Sequence, residues 1–213
     1  MTEITFEISR HPVAREFAAL PGCEAWGILY PVGKGKGASG PVLARVHRDM
    51  ASFQEQPAFT ITTAAEPSHT LCTVVPQPVS ARQQICYAVH DTHGRSVGQI
   101  THERSPHGMR QAWRIDDSGK QGSVVAYKGN VRGWVMYWAL SPFWVFFGLL
   151  GFFHDGGRPS SFLWGKPDRA SWRGRGTGGS RKAALGFKSG RYRGDTELLD
   201  ANLIYAQAAL YCG

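Results

Sequence analysis

Hydrophobic and polar residues alternate along much of the chain between residues 24 and 127. In Phe59-Thr60-Ile61-Thr62-Thr63 the odd positions suit a protein core and the even positions suit water. The same alternation recurs in the segments 85–90, 113–116 and 185–187. A period of two residues is typical of half-buried β-strands. The pattern therefore predicts a domain that is mainly β.

Two short connectors between these alternating runs are typical of β-hairpin turns. They are Asp91-Thr92-His93-Gly94 and Asp117-Ser118-Gly119-Lys120. Asp supplies a local hydrogen bond and Gly a positive φ, as tight turns require. Segments 87–100 and 112–127 share one order: aromatic residue, strand, Asp, turn Gly, strand. Repeated hairpins favour a meander, which removes its exposed edges when it closes into a barrel.

The last segment, 195–211, is predicted to be a helix that is apolar on nearly all sides. Asp195 is the predicted N-cap, and Glu197 in the first turn complements the helix dipole. A helix of this composition should be mostly buried, and at about 25 Å its length suits the axis of a barrel. Its polar residues should bond to Arg or backbone groups at a barrel mouth, or line a small cavity. They are Asp200, Asn202 and Gln207.

A second apolar segment, 133–153, interrupts the strand pattern. Its 21 residues include no charge and nine aromatic side chains, with Pro142 near the middle. The segment is long enough to cross a bilayer. A single crossing would leave the strands on either side of it on opposite sides of the membrane, where they could not close one barrel. If the barrel forms, the segment is either an element buried against it or an insertion lying in the membrane interface; a single span is the least favoured alternative.

The positive charge of the chain is concentrated after this apolar segment. The 213 residues carry a formal charge of +8 at pH 7. The Gly-rich stretch 156–193 holds ten Lys and Arg against one acid, or +9, whereas the remainder holds 14 basic and 15 acidic residues, or −1. A regional excess of this kind indicates a surface for an anionic partner.

The strands, the Asp-x-x-Gly hairpins and the apolar C-terminal helix together resemble the tubby-like superfamily. That superfamily includes phospholipid scramblases and the LURP-one-related proteins. The resemblance is carried by 87–100, Trp113–Gly119 and Asp195–Tyr211, and extends over about residues 24–211. It implies a closed antiparallel barrel of roughly 12 strands around the helix, and a membrane or phosphoinositide connection. No segment matches the scramblase calcium site or the tubby phosphoinositide residues, so neither property is transferred to this chain.

The apolar segment beside the basic stretch predicts a membrane-binding surface, because apolar insertion and a polybasic surface together give stable association. Six aromatic residues are expected to contact or enter the bilayer: Trp134, Trp138, Phe143, Trp144, Phe146 and Phe147. Five basic residues are expected to meet anionic headgroups: Arg158, Lys166, Arg169, Arg173 and Arg175.

The main alternative is a soluble ligand-binding or partner-binding barrel in which 133–153 belongs to the core. Nucleic acid is a further candidate partner, because Arg173-Gly-Arg-Gly176 lies near aromatic residues of the kind that stack on bases. Those aromatic residues are Trp164, Trp172, Phe187 and Tyr192.

Catalytic and metal-binding motifs are scarce. No G-x-S-x-G or H-E-x-x-H motif occurs, and Gly33-Lys-Gly-Lys-Gly37 is too short for a phosphate-binding loop. The histidines between His90 and His107 fall around predicted turns, which disfavours a shared metal site. The four cysteines lack C-x-x-C spacing and the N-terminus lacks an apolar secretion signal, which predicts free thiols in a reducing cytoplasm.

The sequence thus predicts one tubby-like domain over residues 1–213, with a hydrophobic insertion at 133–153 and a basic stretch at 156–193. The expected function is non-enzymatic binding of an anionic lipid or membrane surface, with no metal or cofactor. The expected location is the cytoplasm, peripheral at the inner face of the membrane.

Overall fold

The computed structural model describes most of the strand-forming parts of the chain. The described residues are 3–10, 19–32, 42–51, 56–64, 69–79, 84–104, 111–120, 122–128, 135, 138–140, 142–143, 146, 169–174 and 183–211.

Twelve β-strands and a C-terminal helix, Ala201–Tyr211, account for most of this described part of the chain. The strands are β1 Glu3–Arg10, β2 Cys23–Pro31, β3 Ala44–Asp49, β4 Phe59–Thr63, β5 Thr70–Gln77, β6 Gln84–Asp91, β7 Ser96–Arg104, β8 Gln111–Asp117, β9 Ser123–Tyr127, β10 Ala170–Gly174, β11 Ala183–Lys188 and β12 Arg191–Asp195.

These strands form a closed antiparallel barrel. Each strand pairs with its neighbours in the chain, and β1 pairs with β12 to close the ring. The closing pair is reinforced on the outer surface, where Glu3 is bonded to Arg193 and Glu7 lies 4.0 Å from Arg191. The predicted mainly β fold, a closed barrel of about twelve strands with a C-terminal helix, is confirmed.

The barrel wall follows the predicted alternation except at Thr62 and at Cys86, a position on the polar side of the 85–90 run that is buried. Trp113 and Ile115 are buried and Arg114 between them is exposed. Thr62, predicted to face water, is fully buried, so that prediction is wrong. Its hydroxyl lies 3.1 Å from Nε2 of His47, also buried, and this hydrogen bond offsets the cost of burying two polar groups.

The C-terminal helix is surrounded by the barrel, because it contacts strands on all sides. The ring of Tyr205 meets Phe6 of β1, and that of Tyr211 meets Trp113 of β8 and Trp172 of β10. Further contacts join the helix to β4, β5, β6, β7 and β12. The predicted burial of the helix is confirmed.

Two glycines in the wall allow the helix to approach closely. A Cβ on Gly98 would lie 2.4 Å from the backbone oxygen of Asp116 and 3.0 Å from Leu203. A Cβ on Gly194 would lie 2.7 Å from Ile204. Real Cβ atoms do not approach a backbone oxygen so closely, so Gly98 is needed for space rather than for backbone freedom; at Gly194 an added Cβ would require Ile204 to shift.

The barrel has two chemically different ends. At the helix-entry end lie the β6–β7 and β8–β9 turns and residues 195–200, which lead into the helix. At the insertion end lie the β11–β12 turn, the C-terminus of the helix, the end of β9 and the start of β10. Residues 129–168 therefore leave and rejoin the barrel at the insertion end.

Both predicted hairpin turns are present. Oδ1 of Asp91 accepts hydrogen bonds from the backbone N–H groups of His93 and Arg95, and Gly94 has φ of 74°. Oδ1 of Asp117 accepts from Gly119 at 2.8 Å and from Lys120. In the second turn the Asp carboxylate supplies the predicted hydrogen bonds, but the predicted positive φ is absent, since Gly119 is not among the described glycines with a positive φ.

The helix begins later than predicted. Its N-cap is Asp200, whose Oδ1 accepts from the N–H of Asn202 at 2.8 Å, and not Asp195. Asp195 instead closes a separate turn, in which its carboxylate accepts from the N–H of Glu197. The choice is explained by a distant contact: the N–H of Asp200 donates to Oδ2 of Asp117 at 3.0 Å, which ties the cap to the β8–β9 turn.

Candidate functional site

Apolar side chains of the 133–153 insertion face solvent. Among its described residues, Val135, Trp138, Phe143 and Phe146 are 62%, 57%, 61% and 58% exposed. All four lie in helical backbone. Exposed apolar groups that lie this close together are typical of surfaces that bind a partner, so the insertion is a candidate binding surface.

The rim of the barrel at the insertion end is also apolar. Met50 follows β3, Val79 follows β5 and Tyr127 ends β9, and all three side chains are exposed. The helix-entry end differs, since Leu198 is the large apolar residue exposed there among the described residues. Exposed apolar side chains of the described residues are therefore more numerous at the insertion end, although Met50 and Val79 follow strands that lie away from β9 and β10.

Four cations surround the base of the insertion, and we call them the basic rim. Lys128 and Arg169 stand at its two points of attachment, and Lys188 and Arg191 flank the adjacent β11–β12 turn. Arg169, Lys188 and Arg191 are exposed, while Lys128 is half-buried with Nζ 5.3 Å from the ring centre of Tyr211. The basic rim therefore lies on four consecutive strands, β9 to β12.

Little negative charge balances the basic rim. Arg191 lies 4.0 Å from Glu7, a long and exposed ion pair. Within the described part of the chain, neither Arg169 nor Lys188 forms an ion pair. Exposed pairs are weak in water, so the basic rim keeps a positive field beside the apolar insertion.

The structure groups the predicted lipid-binding residues only in part. Trp138, Phe143 and Phe146 are exposed as predicted, and Arg169 belongs to the basic rim. Arg173 is exposed but lies four residues further along β10, about 13 Å towards the helix-entry end. The remaining predicted residues lie outside the described part: Trp134, Trp144, Phe147, Arg158, Lys166 and Arg175.

Sequence reasoning did not identify three members of the basic rim. Lys188 and Arg191 lie within the basic stretch, and the sequence Lys-Ser-Gly-Arg between two alternating runs is a turn signal that could have located them. In that turn Ser189 and Gly190 have φ values of 53° and 82°. Lys128 gives no comparable signal, because it joins the rim only when β9 pairs with β10.

Three of the four aromatic residues expected to stack on nucleic-acid bases are buried. Trp172, Phe187 and Tyr192 lie inside the barrel at 0%, 7% and 0% exposure and are not available to bases. Trp164 and Arg175 lie outside the described residues.

The polar residues of the helix have different environments. Asp200 and Asn202 lie at the helix-entry mouth, where Asp200 caps the helix and the carbonyl of Asn202 accepts from Sγ of Cys72 at 3.8 Å. Burial raises the pKa of the Cys72 thiol to about 12, and Asp200 contributes. This thiol is protonated at neutral pH and is a poor nucleophile. Gln207 is fully buried in the middle of the helix.

Metal-ligand geometry is absent from the described residues. Among them no three His, Cys, Asp or Glu side chains are grouped closely enough to hold a metal ion. His90 pairs with Ser96 near the helix-entry end, and His102 pairs with Ile85 towards the insertion end. His107 lies outside the described residues.

The insertion connects two adjacent strands. β9 and β10 pair directly through Val125 and Arg173, so the chain on either side of the insertion belongs to one barrel. Among the described residues, no helix combines the length and the hydropathy that a membrane crossing requires.

Comparisons of the chain with known protein families, with curated proteins and with solved structures gave no match. The resemblance to the tubby-like superfamily stays a prediction from the sequence.

Proposed function

We propose that this protein is a non-enzymatic barrel that binds the surface of an anionic membrane with its insertion end. The observation that carries the proposal is the exposure of Trp138, Phe143 and Phe146, each more than half accessible to solvent. A barrel that used this segment as core would bury these rings.

The energetics favour a lipid partner. Moving an exposed aromatic or aliphatic side chain from water to an apolar medium is worth about 1.5–3 kcal/mol. Each cation that reaches an anionic leaflet adds about 1 kcal/mol. Neither contribution alone gives stable attachment, but the insertion and the basic rim together supply the two signals that peripheral membrane proteins combine.

Vesicle co-sedimentation tests the proposal. The wild-type chain is expected to sediment at low salt with vesicles containing phosphatidylserine, more weakly with pure phosphatidylcholine, and less at high salt because ions screen the basic rim. Trp138→Asp is expected to remain folded and to lose binding. Leu198→Asp, an apolar-to-acidic change at the helix-entry end, is the matched control and should bind as the wild type does.

Two results would contradict the proposal. The first is no sedimentation of the wild type with anionic vesicles at low salt. The second is loss of the cooperative unfolding transition of Trp138→Asp, followed by circular dichroism, which would show that the insertion is core and would favour the soluble partner-binding alternative.

A further inference from the structure

A buried amide in the middle of the C-terminal helix has no partner in the structure. Gln207 is fully buried, and neither Nε2 nor Oε1 forms a hydrogen bond with any described residue. An unpaired buried donor or acceptor costs about 1–3 kcal/mol. A leucine or methionine would fill the same space without that cost, so the amide calls for an explanation other than packing.

The neighbours of Gln207 on the helix show which wall it faces. Leu203 and Tyr211 lie one turn before and one turn after it on the same helix face. Leu203 packs on Gly98 of β7, and the ring of Tyr211 lies 5.5 Å from that of Trp172 on β10 and 6.1 Å from that of Trp113 on β8. Gln207 lies on the helix face between these two contacts, so we infer that it faces the part of the wall between β7 and β10.

The same wall carries two further unpaired donors. The indole Nε1 atoms of Trp113 and Trp172 are buried and form no hydrogen bond with the described residues. Both rings contact Tyr211, one helical turn from Gln207. Three polar groups without partners thus converge on one side of the barrel interior, two of them donors only and the third both donor and acceptor.

The side chains around these three polar groups restrict the charge of a molecule that could bind to them. Between the two tryptophans, β9 presents the short apolar side chains of Val124 and Ala126. Among the described residues, the fully buried side chains include no carboxylate, lysine or arginine, and burial lowers the pKa of the His47 imidazole. An ion placed here would be desolvated without a counter-charge, which is expensive. A neutral molecule that accepts from the indoles and donates to the amide oxygen fits.

We propose that the barrel interior binds a small uncharged polar molecule between Gln207, Trp113 and Trp172. Water and a small organic compound bearing a hydroxyl or amide group share the required chemistry. This internal site is independent of membrane docking, because none of its three residues is exposed.

Nuclear magnetic resonance of the ¹⁵N-labelled chain tests for water. Cross-relaxation between water and the indole N–H protons, assigned with Trp113→Phe and Trp172→Phe, is expected at both positions. Long-lived internal water gives such signals even for protons shielded from bulk solvent. Gln207→Met removes the amide at similar volume and should abolish or shift both signals, whereas Leu203→Met on the same helix face should leave them unchanged.

Mass spectrometry of the intact chain tests for an organic guest. Under native conditions the protein would carry an excess mass, released on denaturation, that Gln207→Met lacks and Leu203→Met retains. The proposal is overturned if neither an internal water signal nor an excess mass is found, or if either is identical in Gln207→Met and the wild type. A crystal structure with direct bonds from Gln207 to both indoles would also overturn it.

Discussion

The two ends of the barrel differ in how far their polar groups are hydrogen-bonded within the protein and their apolar groups are covered by it. At the helix-entry end, Asp91 and Asp117 bond the N–H groups of their turns, and Asp117 also holds the helix cap. Nζ of Lys120 donates to the carbonyl of Thr196 at 2.7 Å, joining the β8–β9 turn to the segment before the helix. At the insertion end, apolar rings and cations face solvent.

Under the proposed function, this difference separates stability from membrane binding. The helix-entry end consists of short turns whose polar groups bond one another, and it holds the helix in place. The insertion end exposes apolar area, which lowers solubility unless a partner covers it, beside cations that have few acidic neighbours. Substitutions at the first end should therefore change unfolding, and substitutions at the second should change binding.

The largest expected effect follows from the close approach of helix and wall. Gly98→Ala places a Cβ against the backbone of Asp116 and the side chain of Leu203, which should displace the helix. Overpacking of this severity costs about 3 kcal/mol of unfolding free energy. Chemical denaturation, followed by tryptophan fluorescence, measures it.

Gly186→Ala is the matched control, because the nearest atom to its added Cβ is 3.9 Å away. It should be neutral or slightly stabilising, since alanine reduces the freedom of the unfolded chain. Equal stability of the two variants would show that the wall does not hold the helix as described.

The fold could be predicted to a large extent from the sequence, because the alternation and the two Asp-containing turns are local signals. The start of the helix could not. Asp195 and Asp200 are both suitable N-caps, and the contact of Asp200 with Asp117, 83 residues away, favours the later one. A choice made by tertiary contact leaves no trace in the local sequence.

The second prediction removes that contact. Asp117→Ala deletes the acceptor for the turn and for the N–H of Asp200, and should cost about 2 kcal/mol, since hydrogen bonds to charged groups are among the stronger ones. Asp116→Ala is the control, because the side chain of Asp116 forms an ion pair with the exposed Arg114. It should change stability by less than about 0.5 kcal/mol.

Vesicle binding gives this prediction a second readout. Folded Asp117→Ala should bind anionic vesicles as the wild type does, because the substitution lies at the helix-entry end. A parallel loss of binding and stability would mean that the two ends are coupled rather than separate.

The candidate site was only partly predictable, because charge patterning locates a basic stretch but not its side of the barrel. Arg169 and Arg173 appear equivalent in the sequence, yet β10 carries them towards different ends. Lys128 and Lys188 are 60 positions apart and become neighbours at one rim through strand pairing. Register, which depends on the closed barrel, decides membership of the site.

The third prediction uses this distinction. Arg169→Gln with Lys188→Gln removes two exposed cations of the basic rim and should weaken binding to phosphatidylserine vesicles roughly thirtyfold, at about 1 kcal/mol for each cation that reaches the leaflet. The control, Arg114→Gln with Arg173→Gln, removes equal charge away from the rim. Vesicle titration measures the affinity of both double variants. If both bind equally weakly, net charge alone explains the effect and the position of the cations does not matter.

The smallest expected effect is the dependence of stability on pH, which differs between His47 in the barrel wall and Asp91 in a turn at the helix-entry end. Burial lowers the pKa of His47, and the positive charge of Arg45 lowers it further. The unfolded chain therefore binds a proton near pH 6.5 before the folded chain does, so stability is full above that pH and falls as pH decreases below it. Thermal melts should show a lower Tm at pH 5.5 than at pH 7.5, and a smaller difference in His47→Gln.

Asp91 should respond only in stronger acid. Hydrogen bonds from the backbone N–H groups of Arg95 and His93 lower its pKa from 3.8, although partial burial opposes them. The stability that it contributes is present above pH 3.8 and is lost as pH falls towards the lower folded value. Asp91→Asn should therefore leave the Tm difference between pH 7.5 and pH 5.5 unchanged. A reduced difference in that variant would mean that His47 does not control the response.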